Sequence, residues 1–179
     1  MITTIATPRG DVLIRPTRED DAPAYRALRL QGLQAHPEAF GMDYETSAAR
    51  PIEYWEERMR GGAGSAEGVT YVADAAGELV GMTALVRNNL AKTRHAGSIF
   101  GVYTHPGWRG SGVADALIEA CVAYARALGL RLLRLGVATT NMSAIRLYQR
   151  NGFQVYGVEP EAIQHDGVYY DELLMARRL

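Results

Sequence analysis

The stretch from Ser98 to Ala114 contains the residue types and the spacing that could bind an anionic ligand. Its apolar run, Ile99 to Tyr103, predicts a β-strand, and the turn Arg109 to Gly112 then leads directly into a helical pattern. A glycine-rich turn between a strand and a helix leaves backbone N–H groups at the helix N-terminus without partners. Those donors lie at the positive end of the helix dipole, so the stretch predicts a site for a phosphate-bearing ligand.

Short nucleotide-binding motifs do not identify that ligand. A nucleoside triphosphate loop requires a lysine and a hydroxyl residue after its last glycine, and no lysine follows Gly112. A dinucleotide fingerprint requires a third glycine or an alanine where Asp115 stands. Both motifs fit poorly, and a turn whose glycines only satisfy helix geometry stays open as a third interpretation.

The residues before the turn predict three antiparallel strands. Val69 to Ala73 and Glu78 to Val86 are apolar runs separated by Asp74 to Gly77, which has the composition of a hairpin turn. A third strand, His95 to Thr104, follows a polar region and completes a meander.

The residues after the turn predict a βαβ unit. Apolar residues repeat on one face of a helix that Gly129 ends, namely Val113, Leu117, Cys121, Ala125 and Leu128. Leu130 to Val137 is a leucine-rich strand, and a strand–helix–strand order implies a parallel neighbour reached by a right-handed crossover.

The remaining elements are predicted from caps, breakers and periodicity. They are a strand at Val12–Ile14, a helix capped by Asp20 and Asp21 and ended by Pro37, a loop at Glu38–Arg50, a helix at Pro51–Arg60 with Ile52 and Trp55 or Met59 facing inward, a surface loop at Gly61–Ser65, a helix capped by Asn141, and closing strands at Phe153–Val158 and Val168–Met175.

Composition restricts the class of protein. The 179 residues are expected to form one domain, 1–179, and a formal net charge of −1 argues against a nucleic-acid partner. A single cysteine, Cys121, and four scattered histidines predict neither a disulfide nor a metal site. The N-terminal segment has no signal-peptide core and no run is long enough to span a bilayer, so a cytoplasmic protein without membrane contact is expected.

Two motifs in register resemble the GNAT superfamily of acetyl-CoA-dependent N-acetyltransferases. The Gln/Arg-x-x-Gly-x-Gly/Ala signature is matched by Arg109, Gly112 and Ala114, and the preceding strand end is matched by Val102 to Pro106. A second motif is matched at Asn141, Ala144, Leu147, Tyr148, Gly152 and Phe153. The resemblance runs from about His95 to Phe153. It implies the α/β fold (α+β type) of that family, with a mixed, mostly antiparallel central sheet flanked by helices.

The resemblance implies how acetyl-CoA is held as co-substrate, without a metal. The backbone N–H groups of the turn bind the pyrophosphate, namely those of Arg109, Gly110, Ser111, Gly112, Val113 and Ala114. The strand residues Val102, Tyr103 and Thr104 lie along the pantetheine arm, because this strand is expected to splay from its parallel neighbour. Asn141 caps its helix and also contacts the pantetheine.

Tyr148 matches the family's proton donor to the departing thiolate, although its apolar neighbour Leu147 also allows a packing role. The base is not assigned: where some members carry a glutamate, this chain has Gly97 and Ser98. Candidates on the acceptor side are Tyr44, Glu45 and Asp171, with His105 a polar residue at the strand end. A chain of water molecules could also remove the proton.

The implied reaction is direct attack of a primary amine on acetyl-CoA in a ternary complex, without an acyl-enzyme. The expected acceptor is a small molecule such as an amino acid, a polyamine or an antibiotic-like amine. Acetylation of a protein N-terminus or lysine is the alternative, and a CoA-sensing module without turnover is a third reading. The resemblance also implies a homodimer through the edge formed by the last strands.

Overall fold

The computed structural model describes residues 2–179, which form helices on both faces of one β-sheet. The strands are β1 (Thr3–Thr7), β2 (Gly10–Pro16), β3 (Gly68–Ala75), β4 (Glu78–Arg87), β5 (Ala96–Thr104), β6 (Leu132–Ala138), β7 (Gln154–His165) and β8 (Val168–Arg178). The helices are α1 (Ala22–Ala35), α2 (Tyr44–Ala48), α3 (Ile52–Gly61), α4 (Val113–Ala127) and α5 (Met142–Arg150). None of these helices has both the length and the apolar character needed to cross a bilayer.

The described strands form one eight-stranded sheet in the order β1-β2-β3-β4-β5-β6-β8-β7. Every neighbouring pair is antiparallel except β5 and β6, which are parallel. The predicted meander, βαβ unit and closing pair of strands are therefore confirmed. β7 lies at one edge of the sheet, where the homodimer contact is expected, and the oligomeric state stays a prediction.

The sheet separates two apolar clusters, one on each face. On one face α4 packs Val113, Leu117 and Cys121 into the larger cluster, as its helical periodicity predicts. On the other face α1 and α3 pack against the sheet through Tyr25 and Trp55. Burial raises the pKa of the Cys121 thiol to about 12, so this cysteine is an inert core residue.

The parallel pairing of β5 with β6 is short. Only residues 96–98 of β5 pair with residues 132–134 of β6, and beyond that point β6 pairs with β8 alone. A β-bulge on β5 lies in the same region, since Met82 pairs with Tyr103 and Ala84 already pairs with Phe100. Gly101, inside the bulge, has a φ of 62° that favours glycine. The predicted splay of the two strands is therefore present.

Three local predictions differ from the structure. The predicted elements do not include β1, a short strand that pairs with β2 in antiparallel orientation. The predicted loop contains α2, a single turn that begins because Asp43 accepts a hydrogen bond from the Thr46 N–H at 2.6 Å. Ile52 does not face inward but is 38% exposed, whereas Trp55 and Met59 are both buried.

A buried arginine joins β2 to the start of α1 and to the β3–β4 hairpin. Arg15 contacts Asp21 at 2.7 Å and Asp74 at 2.9 Å. Asp74 also accepts a hydrogen bond from the Gly77 N–H at 2.7 Å, which fixes the predicted hairpin turn. The predicted capping role of Asp21 is wrong, because its carboxylate binds Arg15 and makes no side-chain cap on α1.

We expect Arg15→Met to lower the free energy of unfolding by about 3 kcal/mol or more, because it leaves Asp21 and Asp74 without their cation. Urea denaturation followed by circular dichroism measures the change. Arg60→Met is the matched control, since Arg60 and its partner Glu19 are both exposed and should leave stability nearly unchanged. Equal effects of the two substitutions would contradict this account of the Arg15 cluster.

Candidate active site

A cavity of about 590 Å³ opens where β5 and β6 diverge. It is bounded by the segment after α1, the end of β5, the turn before α4, and the first turns of α5. Its lining includes His36, Glu38, Phe40, Val102, Tyr103, Thr104, Trp108, Arg109, Gly110, Gly112, Val113, Ala114, Asn141, Ser143, Leu147, Tyr148 and Arg150. The structure thus brings most of the predicted cofactor residues to one place.

The turn before α4 presents unused hydrogen-bond donors. The N–H groups of Gly110, Ser111, Gly112, Val113 and Ala114 have no acceptor among the described residues, and we call this segment the donor turn. Gly110 and Gly112 have φ angles of 76° and 87°, and a Cβ on either would meet no atom within 4 Å. The glycines therefore serve the backbone conformation and leave the space in front of the donors open.

The N–H of Arg109 is not one of these free donors. It bonds to the carbonyl of Pro106 at 3.3 Å, so only the side chain of Arg109 is available to a ligand. The guanidinium bonds to the Thr104 carbonyl at 3.4 Å and lies 2.9 Å from Nε2 of His36. Arg109 therefore links the end of β5 to the end of α1 across the cavity.

The second unsatisfied feature is the edge of β5 that faces the gap, which we call the open edge (102–104). The His105 N–H bonds to Val80 on β4 at 2.9 Å. Because the direction of hydrogen bonding alternates along a strand, the peptide groups of Val102 and Thr104 point away from β4. The hydroxyl of Thr104 is also buried without a hydrogen-bond partner among the described residues, whereas that of Tyr103 lies within reach of the Arg109 guanidinium. The open edge can therefore accept an extended polar ligand as an added strand.

The first turns of α5 complete the cavity wall. Asn141 caps this helix, as predicted, because its Oδ1 accepts hydrogen bonds from the Ala144 N–H at 3.1 Å and from the Ser143 hydroxyl at 2.9 Å. Its amide nitrogen has no partner among the described residues, so it remains available to a ligand.

Tyr148 lies about two turns after Asn141 along α5, with 6% of its surface exposed. Its ring packs edge-on against Phe153 at a centroid distance of 6.1 Å, and its hydroxyl has no hydrogen-bond partner among the described residues. Burial, with a smaller contribution from the charge of Glu172, raises the pKa of the phenol above its ordinary value of about 10. The phenol is therefore protonated near neutral pH and can donate a proton or a hydrogen bond into the cavity.

Glu172 on β8 is a carboxylate that the sequence reasoning missed. It is half-buried, has no ion pair or hydrogen bond to its side chain among the described residues, and lies against Gly136 of β6, where a Cβ would collide with it. Burial, and then the charge of Glu159, raises the pKa of Glu172. Glu172 is not among the described residues that line the cavity, but its charge acts on Tyr148, which does line it. An unpaired carboxylate in this position can attract an ammonium group or accept a proton.

Asp171, the residue before Glu172, is an acceptor-side carboxylate that the sequence predicts. Its carboxylate accepts a hydrogen bond from the Glu161 N–H at 2.8 Å, at a bulge of β7 where Glu161 has a φ of 53°. Side chains alternate across a strand, so Asp171 faces the opposite side of the sheet from Glu172. The structure therefore gives Asp171 a structural contact and leaves it outside the cavity lining.

The other proposed acceptor residues are also not brought to the cavity. Tyr44 and Glu45 lie in α2 and are exposed, and neither is among the described residues that line the cavity. His36, Glu38 and Phe40, for which the sequence has no motif, line the cavity on this side instead. His105 accepts a hydrogen bond from the Gly107 N–H at 3.2 Å, which stabilises the turn after β5.

The chain is similar to known acetyltransferases. A sequence model of the acetyltransferase (GNAT) family matches residues 30–153. The L-amino acid N-acetyltransferase AaaT of Escherichia coli (strain K12) is 27% identical over 173 residues, which cover 94% of this chain and 98% of that protein. A mycothiol acetyltransferase of Propionibacterium freudenreichii subsp. shermanii is 27% identical over 143 residues, which cover 79% of this chain. The chain spans 43% of the length of the latter relative.

A solved structure has the same fold. The crystal structure of an acetyltransferase of the GNAT family from Streptococcus pneumoniae superposes with a TM-score of 0.83 and 25% sequence identity. The match covers 94% of this chain and 99% of that one, which confirms the predicted fold class.

Proposed function

The chain belongs to the acetyltransferase (GNAT) family, and on that basis we propose that it transfers the acetyl group of acetyl-CoA to the primary amine of a small molecule. Two similar proteins, named as an L-amino acid N-acetyltransferase and a mycothiol acetyltransferase, support a small acceptor. The observation that carries the proposal is the donor turn beside the open edge, at the mouth of one cavity.

The chemistry of these groups fits acetyl-CoA. The donor turn offers five N–H groups at a helix N-terminus to the two negative phosphates. The open edge offers peptide groups to the amides of the pantetheine arm, and the buried hydroxyl of Thr104 lacks a partner that a polar ligand would supply. The amide nitrogen of Asn141 is a further donor to the same arm.

Acetyl-CoA supplies a thioester, whose carbonyl carbon forms the new C–N bond with the amine while the sulfur leaves with the electrons of the C–S bond. Tyr148 donates the proton that this sulfur takes up and is then reprotonated from solvent. An N–H group of the open edge polarises the thioester carbonyl. Because Cys121 is fully buried in the core, direct transfer is favoured over an acyl-cysteine.

Glu172 is assigned as the group that accepts the proton lost by the amine. Its carboxylate lies near Tyr148, has no cation among the described residues, and has a raised pKa that makes it a stronger proton acceptor than an exposed glutamate. The amine loses one proton to Glu172 and the sulfur gains one from Tyr148, so the products are an amide and free CoA.

Gly112→Ala should weaken acetyl-CoA binding about tenfold, because the new methyl group enters the space in front of the donor turn. Isothermal titration calorimetry measures the dissociation constant. Gly77→Ala is the control, since Gly77 also has a positive φ and open space around it but lies in the β3–β4 hairpin. Both substitutions should cost about 1 kcal/mol of stability. Unchanged acetyl-CoA affinity in Gly112→Ala would remove the donor turn from the site.

Tyr148→Phe should lower kcat about 100-fold while the affinity for acetyl-CoA is kept, because only the proton donor is lost. The assay detects free CoA thiol with a panel of small amines. Tyr124→Phe is the control, since its hydroxyl bonds to the Ser65 carbonyl at 3.1 Å away from the cavity. A wild-type protein that binds acetyl-CoA but acetylates no amine or peptide would favour a CoA sensor instead.

Glu172→Gln should lower kcat/KM about 100-fold and remove the acidic limb of its pH profile. In the wild type that limb should lie above the ordinary carboxyl pKa, because burial and Glu159 raise the pKa of Glu172 and the protonated form cannot act as base. Asp171→Asn is the matched control on the same strand, with a pH profile expected to equal that of the wild type. An acidic limb that persists in Glu172→Gln would assign proton removal to another group or to water.

A further inference from the structure

Two arginines of the helical layer that holds α1 and α3 have no acidic partner among the described residues. Resting on the proposed function, we propose that Arg29 of α1 and Arg58 of α3 form an anion subsite that binds the carboxylate of the acetyl acceptor. The acceptor class is then the free amino acid, in which a carboxylate accompanies the reacting amine, and polyamines are excluded.

The first support is the absence of a counter-ion. Four arginines of the chain contact carboxylates, namely Arg15, Arg60, Arg150 and Arg177, and Arg29 and Arg58 belong to the larger group for which the described residues supply no such contact. Among residues 2–179, no carboxylate oxygen lies within 4.0 Å of the guanidinium of Arg29 or Arg58. Partial burial of Arg29, together with the nearby charge of Arg58, lowers the pKa of Arg29. For Arg58, burial lowers the pKa, but contact with Tyr25 and Tyr54 outweighs that effect and raises it. The cost of desolvation therefore falls on Arg29, and a bound carboxylate would offset that cost.

The second support is that Arg29 is held in place by groups other than an acid. Its guanidinium carbon lies 4.5 Å from the centroid of the Phe40 ring, a cation–π contact. Its Nη1 lies 3.2 Å from the position that a Cβ would take on Gly101. The glycine of the β5 bulge therefore leaves room for this guanidinium beside the strand.

The third support is the position of Arg29 in the cleft. Phe40 lines the cavity, and Gly101 directly precedes Val102 at the open edge, so Arg29 lies beside the cavity wall that Phe40 and the open edge form. The donor turn accounts for the phosphates of the co-substrate. A second anion-binding group at the α1 end of the cavity is therefore available to the acceptor.

The fourth support is the charge distribution around the acceptor end. Arg58 is exposed and lies near the hydroxyls of Tyr25 and Tyr54, which can donate hydrogen bonds to the same carboxylate. Two acids carry the opposite charge and suit the ammonium group: Glu38 lines the cavity, and Glu172 acts on the cavity residue Tyr148. Cations on the helix side and carboxylates elsewhere match a zwitterion, whereas a polyamine would meet two positive charges.

The experiment compares L-amino acids with their carboxamides, which keep the amine and side chain but lack the negative charge. Steady-state kinetics is measured for the wild type, Arg29→Gln, Arg58→Gln and the control Arg60→Gln, whose side chain also lies on α3 but is paired with Glu19. The wild type should prefer the acid by about 10- to 100-fold in kcat/KM. Arg29→Gln and Arg58→Gln should lose that preference through a raised KM, while Arg60→Gln should keep it.

Two further readouts separate the possible failures. Calorimetry should show the same acetyl-CoA affinity in all four proteins. If Arg29→Gln alone loses acetyl-CoA affinity, its fold is affected, and the kinetics of Arg58→Gln then tests the subsite, because the exposed side chain of Arg58 is not needed for folding. Turnover of carboxamides or polyamines as efficient as that of amino acids would overturn the subsite while acetyl transfer stands. If no amine is acetylated, amino acids should still raise the wild-type melting temperature in the presence of CoA but not that of the Arg29 and Arg58 variants. Absence of that shift would overturn the subsite as well.

Discussion

The parallel hydrogen bonding between β5 and β6 ends after three residue pairs, and the candidate site depends on this interruption. A fully paired strand has no free peptide groups, so a continuous ladder would remove the open edge and close the cavity. The bulge at Gly101 and the continued pairing of β6 with β8 keep the two strands apart. The sheet loses some ladder hydrogen bonds here, and a ligand that pairs with the exposed edge can replace them.

The cavity has different polar groups at its two ends. The donor turn uses backbone N–H groups, whose positions are fixed by the helix and by two glycines with positive φ. The opposite wall presents side chains, among them His36, Glu38 and Phe40 in the segment after α1. Backbone donors recognise a phosphate whatever the surrounding sequence is, whereas side chains can be exchanged without changing the fold. In the proposed function the co-substrate is therefore recognised by backbone groups, whereas the acceptor depends on individual side chains of this chain.

Two acidic residues in succession show how tertiary context decides a role. Asp171 and Glu172 both carry a carboxylate, and the local sequence does not show which of the two faces Gly136. Register places Glu172 opposite Ala138 and leaves it beside Gly136, while Asp171 stabilises a bulge of the neighbouring strand. A shift of one residue in the β6–β8 pairing would exchange their faces, and nothing local in the sequence fixes that pairing.

The sequence by itself determined the features that depend on neighbours in the chain. These are the donor turn and its helix, the cap at Asn141, the hairpin at Asp74 to Gly77, and the order of strands and helices around them. They follow from φ preferences, capping and periodicity, which act over a few residues. Only the tertiary structure decided that Arg15 joins the start of α1 to Asp74, and that Arg29 and Phe40 meet beside Gly101. These contacts join segments that are distant in the chain, and their energy comes from burial and charge pairing that exist only after the sheet and its two helical layers have assembled.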